Sequence, residues 1–140
     1  MTYQPPPSPP PQPLRPTPAF IGASWAALAV GVIAFGVGLF NAEMTKSEKG
    51  FYAAVLLLGL FGAISLQKSV RDQAEGMAVS ALYLALSWGM VGISIVMLVV
   101  GLFNSGMELN EKGFYGLAFV LTLYSAVAVQ KNVRDMLYKP

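Results

Sequence analysis

The sequence predicts an all-α integral membrane protein with four transmembrane helices, built as two tandem parallel-repeat helical hairpins. Three observations carry this. Of the 140 residues, 55% are hydrophobic and only 11% charged, against roughly 25% charged in an ordinary soluble domain. The uncharged stretches fall into four runs, at 19–40, 51–66, 78–103 and 114–129. The second half of the chain also repeats the first without a gap, each residue having its counterpart 63 positions later.

Residues 1–18 hold most of the ten prolines. Such a segment lacks backbone donors and favours polyproline II, so it is expected to be a disordered tail, with a docking ligand for a proline-binding domain as the alternative. The run 19–40 follows. At 1.5 Å per residue it covers about 33 Å, enough for a hydrocarbon core of about 30 Å. It is too long for the core of a cleavable signal and lacks a short basic lead, so no signal peptide is expected.

The run 51–66 covers only about 24 Å. It reaches membrane thickness if the helix begins near Ser47, an expected N-cap, and continues through Gln67. Glu48 then suits the positive end of the helix dipole, and Lys68 and Arg71 suit the negative end. The third run is the longest and can span with tilt. The fourth is again short, bounded by Glu111-Lys112 and by Gln130-Lys131. The expected organisation is a tail at 1–18, hairpins at 19–76 and 77–136, and a short C-terminal tail at 137–140.

Within the repeat, Gly38-Leu39-Phe40-Asn41 becomes Gly101-Leu102-Phe103-Asn104, and Glu48-Lys49-Gly50-Phe51-Tyr52 becomes Glu111-Lys112-Gly113-Phe114-Tyr115. Gln67-Lys68 with Val70-Arg71-Asp72 becomes Gln130-Lys131 with Val133-Arg134-Asp135. Two helices per copy mean that both copies enter the membrane from the same side, so the repeats are parallel, with a pseudo-two-fold along the membrane normal.

The tail, the connection at 67–77 and the C-terminus share one side and carry Arg15, Lys68, Arg71, Lys131, Arg134 and Lys139. The two loops opposite carry Lys46, Lys49 and Lys112. The excess of basic residues places both termini in the cytoplasm.

Two motifs are candidates for contacts. The loop motif, on the expected periplasmic side, comprises Asn41, Glu48, Lys49 and Tyr52 in the first copy and Asn104, Glu111, Lys112 and Tyr115 in the second. Its structural reading is local. The asparagines end helices in the left-handed conformation, Ser47 and Asn110 cap the next helices, and Phe51-Tyr52 and Phe114-Tyr115 form an aromatic belt at headgroup level. The alternative is a binding site made from Glu48, Lys49, Glu111 and Lys112.

The second motif comprises Gln67, Lys68, Arg71, Asp72, Gln130, Lys131, Arg134 and Asp135. Lys68 and Asp72 are four apart, as are Lys131 and Asp135, so each pair shares a helix face. The bland reading is a basic anchor, and the sharper one a contact with anionic lipid headgroups or a partner protein. The carboxamides of Gln67 and Gln130 favour the sharper reading, since at that depth they need partners.

Rows of small residues, Ala23, Ala27 and Gly31, then Gly59 and Ala63, then Ala81, Ala85 and Gly89, are expected helix-packing faces. They close either the bundle or a homo-oligomer. The intramembrane Ser and Thr are expected to bond between helices.

With no cysteine and no histidine, thiolate chemistry, His bases and the usual zinc sites are excluded. No charged residue lies inside any of the four runs, which weighs against an ion-coupled carrier. No catalytic residue, metal site or cofactor is expected, nor is an enzyme, and a net charge of +2 does not call for nucleic acid. The expected partners are membrane lipids, anionic at the cytoplasmic face, with a homo-oligomer possible. The functional reading is a structural or accessory membrane protein, with a small channel or transporter formed by oligomerisation as the alternative.

The duplicated Gly-Leu-Phe-Asn…Glu-Lys-Gly-Phe-Tyr…Gln-Lys-x-Val-Arg-Asp pattern resembles the YiaA/YiaB family of bacterial inner-membrane proteins, defined by a two-helix domain. The resemblance covers about residues 19–136. It implies four helices in a bacterial inner membrane and brings no activity, catalytic residue or cofactor to transfer.

Overall fold

A computed structural model describes residues 2–9 and 15–137. Residues 2–9 have no regular secondary structure; the rest of the expected proline-rich tail before Arg15, and Lys139 in the C-terminal tail, lie outside the described residues. Four helices follow: α1 (Pro18–Asn41), α2 (Lys46–Ala74), α3 (Ala81–Phe103) and α4 (Leu109–Met136). All four are long and apolar enough to cross a membrane, and no strand occurs among the described residues.

The helix ends depart from expectation in three places. The N-cap of α2 is Thr45, not Ser47. Its hydroxyl accepts from the Glu48 amide at 3.2 Å and donates to the Glu48 carboxylate at 3.2 Å. Thr45 and Glu48 have the three-residue spacing of a capping box. The N-cap of α4 is Glu108, not Asn110, and it makes no side-chain cap bond. Asn41 and Asn104 do not turn left-handed, since among the described residues only Gly76 has positive φ. The chain instead leaves α1 through extended Ala42. Asn104 stays right-handed, with its side-chain amide donating to the Val100 carbonyl at 2.9 Å.

At the end of α2, Gly76 (φ 82°) sits in a Schellman turn, with Met77 N–H donating to Asp72 O and Gly76 N–H to Gln73 O; a glycine carries that φ without steric cost.

The packing pattern is not visible in the sequence. Helices joined by a loop within one repeat touch little. α1 instead lies along α4, α3 lies along α2, and α2 meets α4 at the centre. Each repeat therefore lends its first helix to the other repeat's second. Glycines explain the register. A Cβ on Gly31 of α1 would come within 3.1 Å of the Thr122 backbone nitrogen on α4, and one on Gly59 of α2 within 3.0 Å of Ser94 Oγ on α3. Residues 31 and 94 are repeat counterparts, as are 59 and 122. At both crossings one helix supplies glycine and the other a hydroxyl, with the roles exchanged between repeats.

The same logic accounts for the loop motif. A Cβ on Gly38 would meet the Phe114 ring at 2.7 Å, and one on Gly101 the Phe51 ring at 2.7 Å. Each Gly-Leu-Phe-Asn segment receives the aromatic of the other repeat. Tyr52 and Tyr115 are therefore buried, each 4% exposed, rather than in a headgroup belt. Their rings stack at 6.2 Å, and Phe35 meets Tyr115 edge-on at 5.4 Å. Phe40 and Phe103, by contrast, project outward at the helix ends.

Of the small-residue rows, Gly31, Gly59 and Ala63 are buried in the bundle. Ala81 and Ala85 are exposed, and Gly89 has open space where its Cβ would be. The buried hydroxyls behave differently from expectation. Ser24, Ser69, Ser87, Ser94, Thr122 and Ser125 all donate to carbonyls three or four residues back on their own helix. Small hydroxyls reach these carbonyls without extending into the neighbouring helix. Asn132 reaches across instead, donating to Ser24 Oγ at 3.2 Å.

These crossings give a reciprocal test. Gly31→Ala should destabilise the bundle by about 1–3 kcal/mol through overpacking against Thr122, whereas Gly22→Ala, which faces open space, should not. Gly31→Ser combined with Thr122→Gly copies the Ser94–Gly59 crossing and should recover most of the loss. Unfolding in mixed micelles measures all three.

Candidate functional site

The expected lipid or partner motif lies on the last turns of α2 and α4. Both apolar runs end near residue 66 or 129, but the helices continue to Ala74 and Met136. The extra two turns carry the charged part of the motif, Arg71-Asp72 and Arg134-Asp135, about 8–9 Å beyond the apolar runs, a height suited to lipid headgroups. α2 and α4 run parallel and adjacent, so the two copies of the motif face each other across the pseudo-axis.

They form a reciprocal clamp. Arg71 on α2 pairs with Asp135 on α4 through a short contact, and Arg134 on α4 pairs with Asp72 on α2 at 2.6 Å. Each aspartate also takes the lysine four residues before it on its own helix, Lys68–Asp72 and Lys131–Asp135, both at 2.8 Å. Glu75 then bridges the two arginines, accepting from Arg71 Nε at 2.7 Å and from Arg134 Nη2 at 2.8 Å.

The Asp135 side chain is 3% exposed and the two arginines below 20%, whereas Lys68 and Lys131 remain about half exposed. The sequence groups all four basic residues as lipid contacts; the structure commits the arginines to the inside of the clamp and leaves the lysines at its rim. Gln67 and Gln130 sit half-buried just inward of it, and neither carboxamide hydrogen-bonds to a described residue. Glu75 escapes repeat-based reasoning because its counterpart is Tyr138. Its only signal is the four-residue spacing from Arg71.

The loop motif is divided at the other end of the bundle. Lys49 donates to the Phe40 carbonyl at 2.9 Å and sits over the Phe40 ring. Glu48 and Glu111 instead line a cavity of about 820 Å³ between the loops, together with Asn41, Glu43, Glu108 and Tyr115. Lys112 and Asn104 do not line it. The structure thus gathers the carboxylates of the candidate site and leaves its lysines outside.

The comparisons with known proteins follow the same duplication. The YiaA/B two-helix domain matches twice, over residues 20–72 and 83–135. The chain belongs to the YiaA/B family. It is 53% identical over 119 residues to Inner membrane protein YiaA of Escherichia coli (strain K12), covering 85% of this chain and 82% of the relative. It is 44% identical over 62 residues to Uncharacterized membrane protein YubF of Bacillus subtilis (strain 168), covering 44% of this chain and 71% of that one. No solved structure matches the chain. In this YiaA/B chain each matched domain contains both its loop motif and its clamp motif, so the motif contacts described above join one domain to the other, and Glu75, just past the first domain, adds its bridge from outside the match.

The clamp predicts a graded response. Asp135→Asn, which leaves Arg71 and Lys131 facing a neutral group, should cost about 1–3 kcal/mol of stability. Lys68→Gln, at the exposed rim, should cost under about 1 kcal/mol. A double-mutant cycle of Arg71→Gln with Asp135→Asn should show coupling, measurable by steric trapping in bicelles.

A pH dependence follows as well. Hydrogen bonds from Arg134 first and Arg71 second hold the Glu75 carboxyl below its ordinary value of 4.5. Its folded pKa is therefore the depressed one. The stabilisation it contributes is fully present above about pH 4.5 and is lost as the pH falls further. Glu75→Gln should flatten that part of the stability profile.

Proposed function

We propose that the chain is a structural or accessory protein of the bacterial inner membrane, acting through helix packing and through lipid or protein contacts at its clamp end, with both termini in the cytoplasm. The observation that carries this reading is the clamp itself. Near the ends of α2 and α4, the ionic groups are spent on holding the two repeats together, and the apolar runs contain no ionisable Asp, Glu, Lys or Arg to bind or relay an ion. The name of the Escherichia coli relative supports the location, and the basic excess on the termini side supports the orientation.

The half-exposed ammonium groups of Lys68 and Lys131 are the atoms available to anionic headgroups, each contributing on the order of 1 kcal/mol near a charged surface. A homo-oligomer fits the outward row Ala81, Ala85 and Gly89 on α3, which the bundle leaves uncovered.

Native mass spectrometry from nanodiscs of mixed phosphatidylglycerol and phosphatidylcholine tests this reading. The parent chain should retain phosphatidylglycerol selectively, and Lys68→Gln with Lys131→Gln should abolish most of that selectivity while leaving the fold intact. A discrete oligomer retaining no lipid, accompanied by ion or solute flux in liposomes, would replace the accessory role with a pore.

A further inference from the structure

The cavity between the loops has features that bundle stability does not require. Its lining includes four carboxylates, Glu43, Glu48, Glu108 and Glu111, and no lysine or arginine. Glu48 and Glu111 have an ordinary explanation, since they stand in the first turns of α2 and α4 and complement the helix dipoles. Glu43 and Glu108 do not. Their repeat counterparts are Gly106 and Thr45, so neither acid is part of the shared pattern. Glu108 even occupies an N-cap position without making the side-chain bond that Thr45 makes in the other copy.

A second, independent observation comes from Tyr115. It lines the same cavity and is 4% exposed. Its hydroxyl makes no hydrogen bond to a described residue. The phenolic oxygen lies 3.4 Å from where a Cβ on Gly38 would stand, and Gly38 is itself a lining residue. The ring is enclosed but the oxygen is not. Among the described residues the fully buried side-chain atom without a partner is Asn132 Oδ1, so the Tyr115 hydroxyl keeps an open side on which a partner can sit. That side is the cavity. Phe114, Met44 and Met107 supply an apolar, polarisable part of the remaining lining, beside the polar Asn41, Ser105 and Asn110.

We propose that this cavity binds a small organic ammonium ion: the carboxylates attract the charged head, the Tyr115 oxygen accepts one of its N–H bonds, and the apolar body rests on Phe114 and the two methionines. An ammonium group satisfies carboxylate and phenol together through charge-assisted hydrogen bonds, and aromatic and thioether surfaces favour a cation with an organic body over a hydrated one. Among the described residues no group of three acidic side chains is placed to hold a metal ion. The occupant reaches the site from the face opposite the termini.

The test uses the full chain in nanodiscs of phosphatidylcholine alone, titrated calorimetrically with 2-phenylethylammonium chloride, with empty nanodiscs subtracted. Saturable binding of one ion per chain is expected. Tyr115→Phe, which keeps the ring and its packing, should weaken it about fivefold, the worth of one hydrogen bond. Glu43→Gln with Glu108→Gln should weaken it about tenfold or more, with thermal unfolding unchanged for both variants. Lys49→Gln, on the same face but outside the lining, should bind as the parent does.

Three results would overturn the proposal. One is no saturable binding up to about 10 mM. Another is binding that the Tyr115 and Glu variants leave unaltered. The third is displacement by magnesium chloride at matched ionic strength, which would reduce the site to a patch of acidic surface.

Discussion

The separation between helices at two crossings, Gly31 on Thr122 and Gly59 on Ser94, governs the rest of the bundle. In lipid, helices gain little from hiding apolar surface, because the surroundings are equally apolar. Close approach has to come from van der Waals contact, and contact at this range requires a position without a Cβ. Once α1 is seated on α4 and α3 on α2, Phe114 falls over Gly38 and Phe51 over Gly101. The two tyrosines are then driven onto the axis, where they stack. At the opposite end the same seating sets the last turns of α2 and α4 side by side and closes the clamp.

Exchanging first helices between repeats has an energetic consequence. Packing confined to each hairpin would leave two units free to separate in the membrane. With α1 on α4 and α3 on α2, separating the repeats breaks the principal helix contacts and the clamp together. The ionic part adds direction more than strength, since ion pairs near water contribute little each. A carboxylate as enclosed as Asp135, however, strongly penalises any arrangement that leaves it unpaired. The duplicated motif thus specifies which copy faces which.

Much of this was legible in the sequence, for identifiable reasons. Runs without charge mark the spans, and the fixed offset marks the duplication. The four-residue spacing of Lys68 and Asp72 predicts a pair that the structure contains. Helix partnership was not legible. On α1 and α3 the positions facing lipid and those facing protein are both apolar, so no periodic contrast separates Val30 from Phe35, although one is well exposed and the other buried. The tyrosines misled for a related reason: an aromatic beside a charged loop fits a headgroup belt as well as a buried stack, and only the glycine opposite, on another helix, decides between them. Asn132 and Glu75 were missed because both break the repeat that guided attention, replacing Ser69 and lacking an acidic counterpart respectively.

The parallel course of α2 and α4 also explains why the two ends of the molecule differ in charge. Two adjacent parallel helices bring like dipole ends together. Their C-termini form a negative pole and their N-termini a positive one, each partly offset by the opposite ends of the antiparallel α1 and α3. At the C-terminal end, Lys68, Arg71, Lys131 and Arg134 outnumber Asp72, Glu75 and Asp135, so the clamp retains a positive excess that offsets the pole. At the N-terminal end, Glu48 and Glu111 answer the opposite pole. Glu43 and Glu108, which stand outside those first turns, bring two more carboxylates to the same cavity, beside the Tyr115 hydroxyl, which bonds to no described residue. The clamp pairs and the helix ends give a role to each charged group of the basic end and to Glu48 and Glu111 at the other. Glu43 and Glu108 have neither, and it is there that a cation has the chemistry to bind.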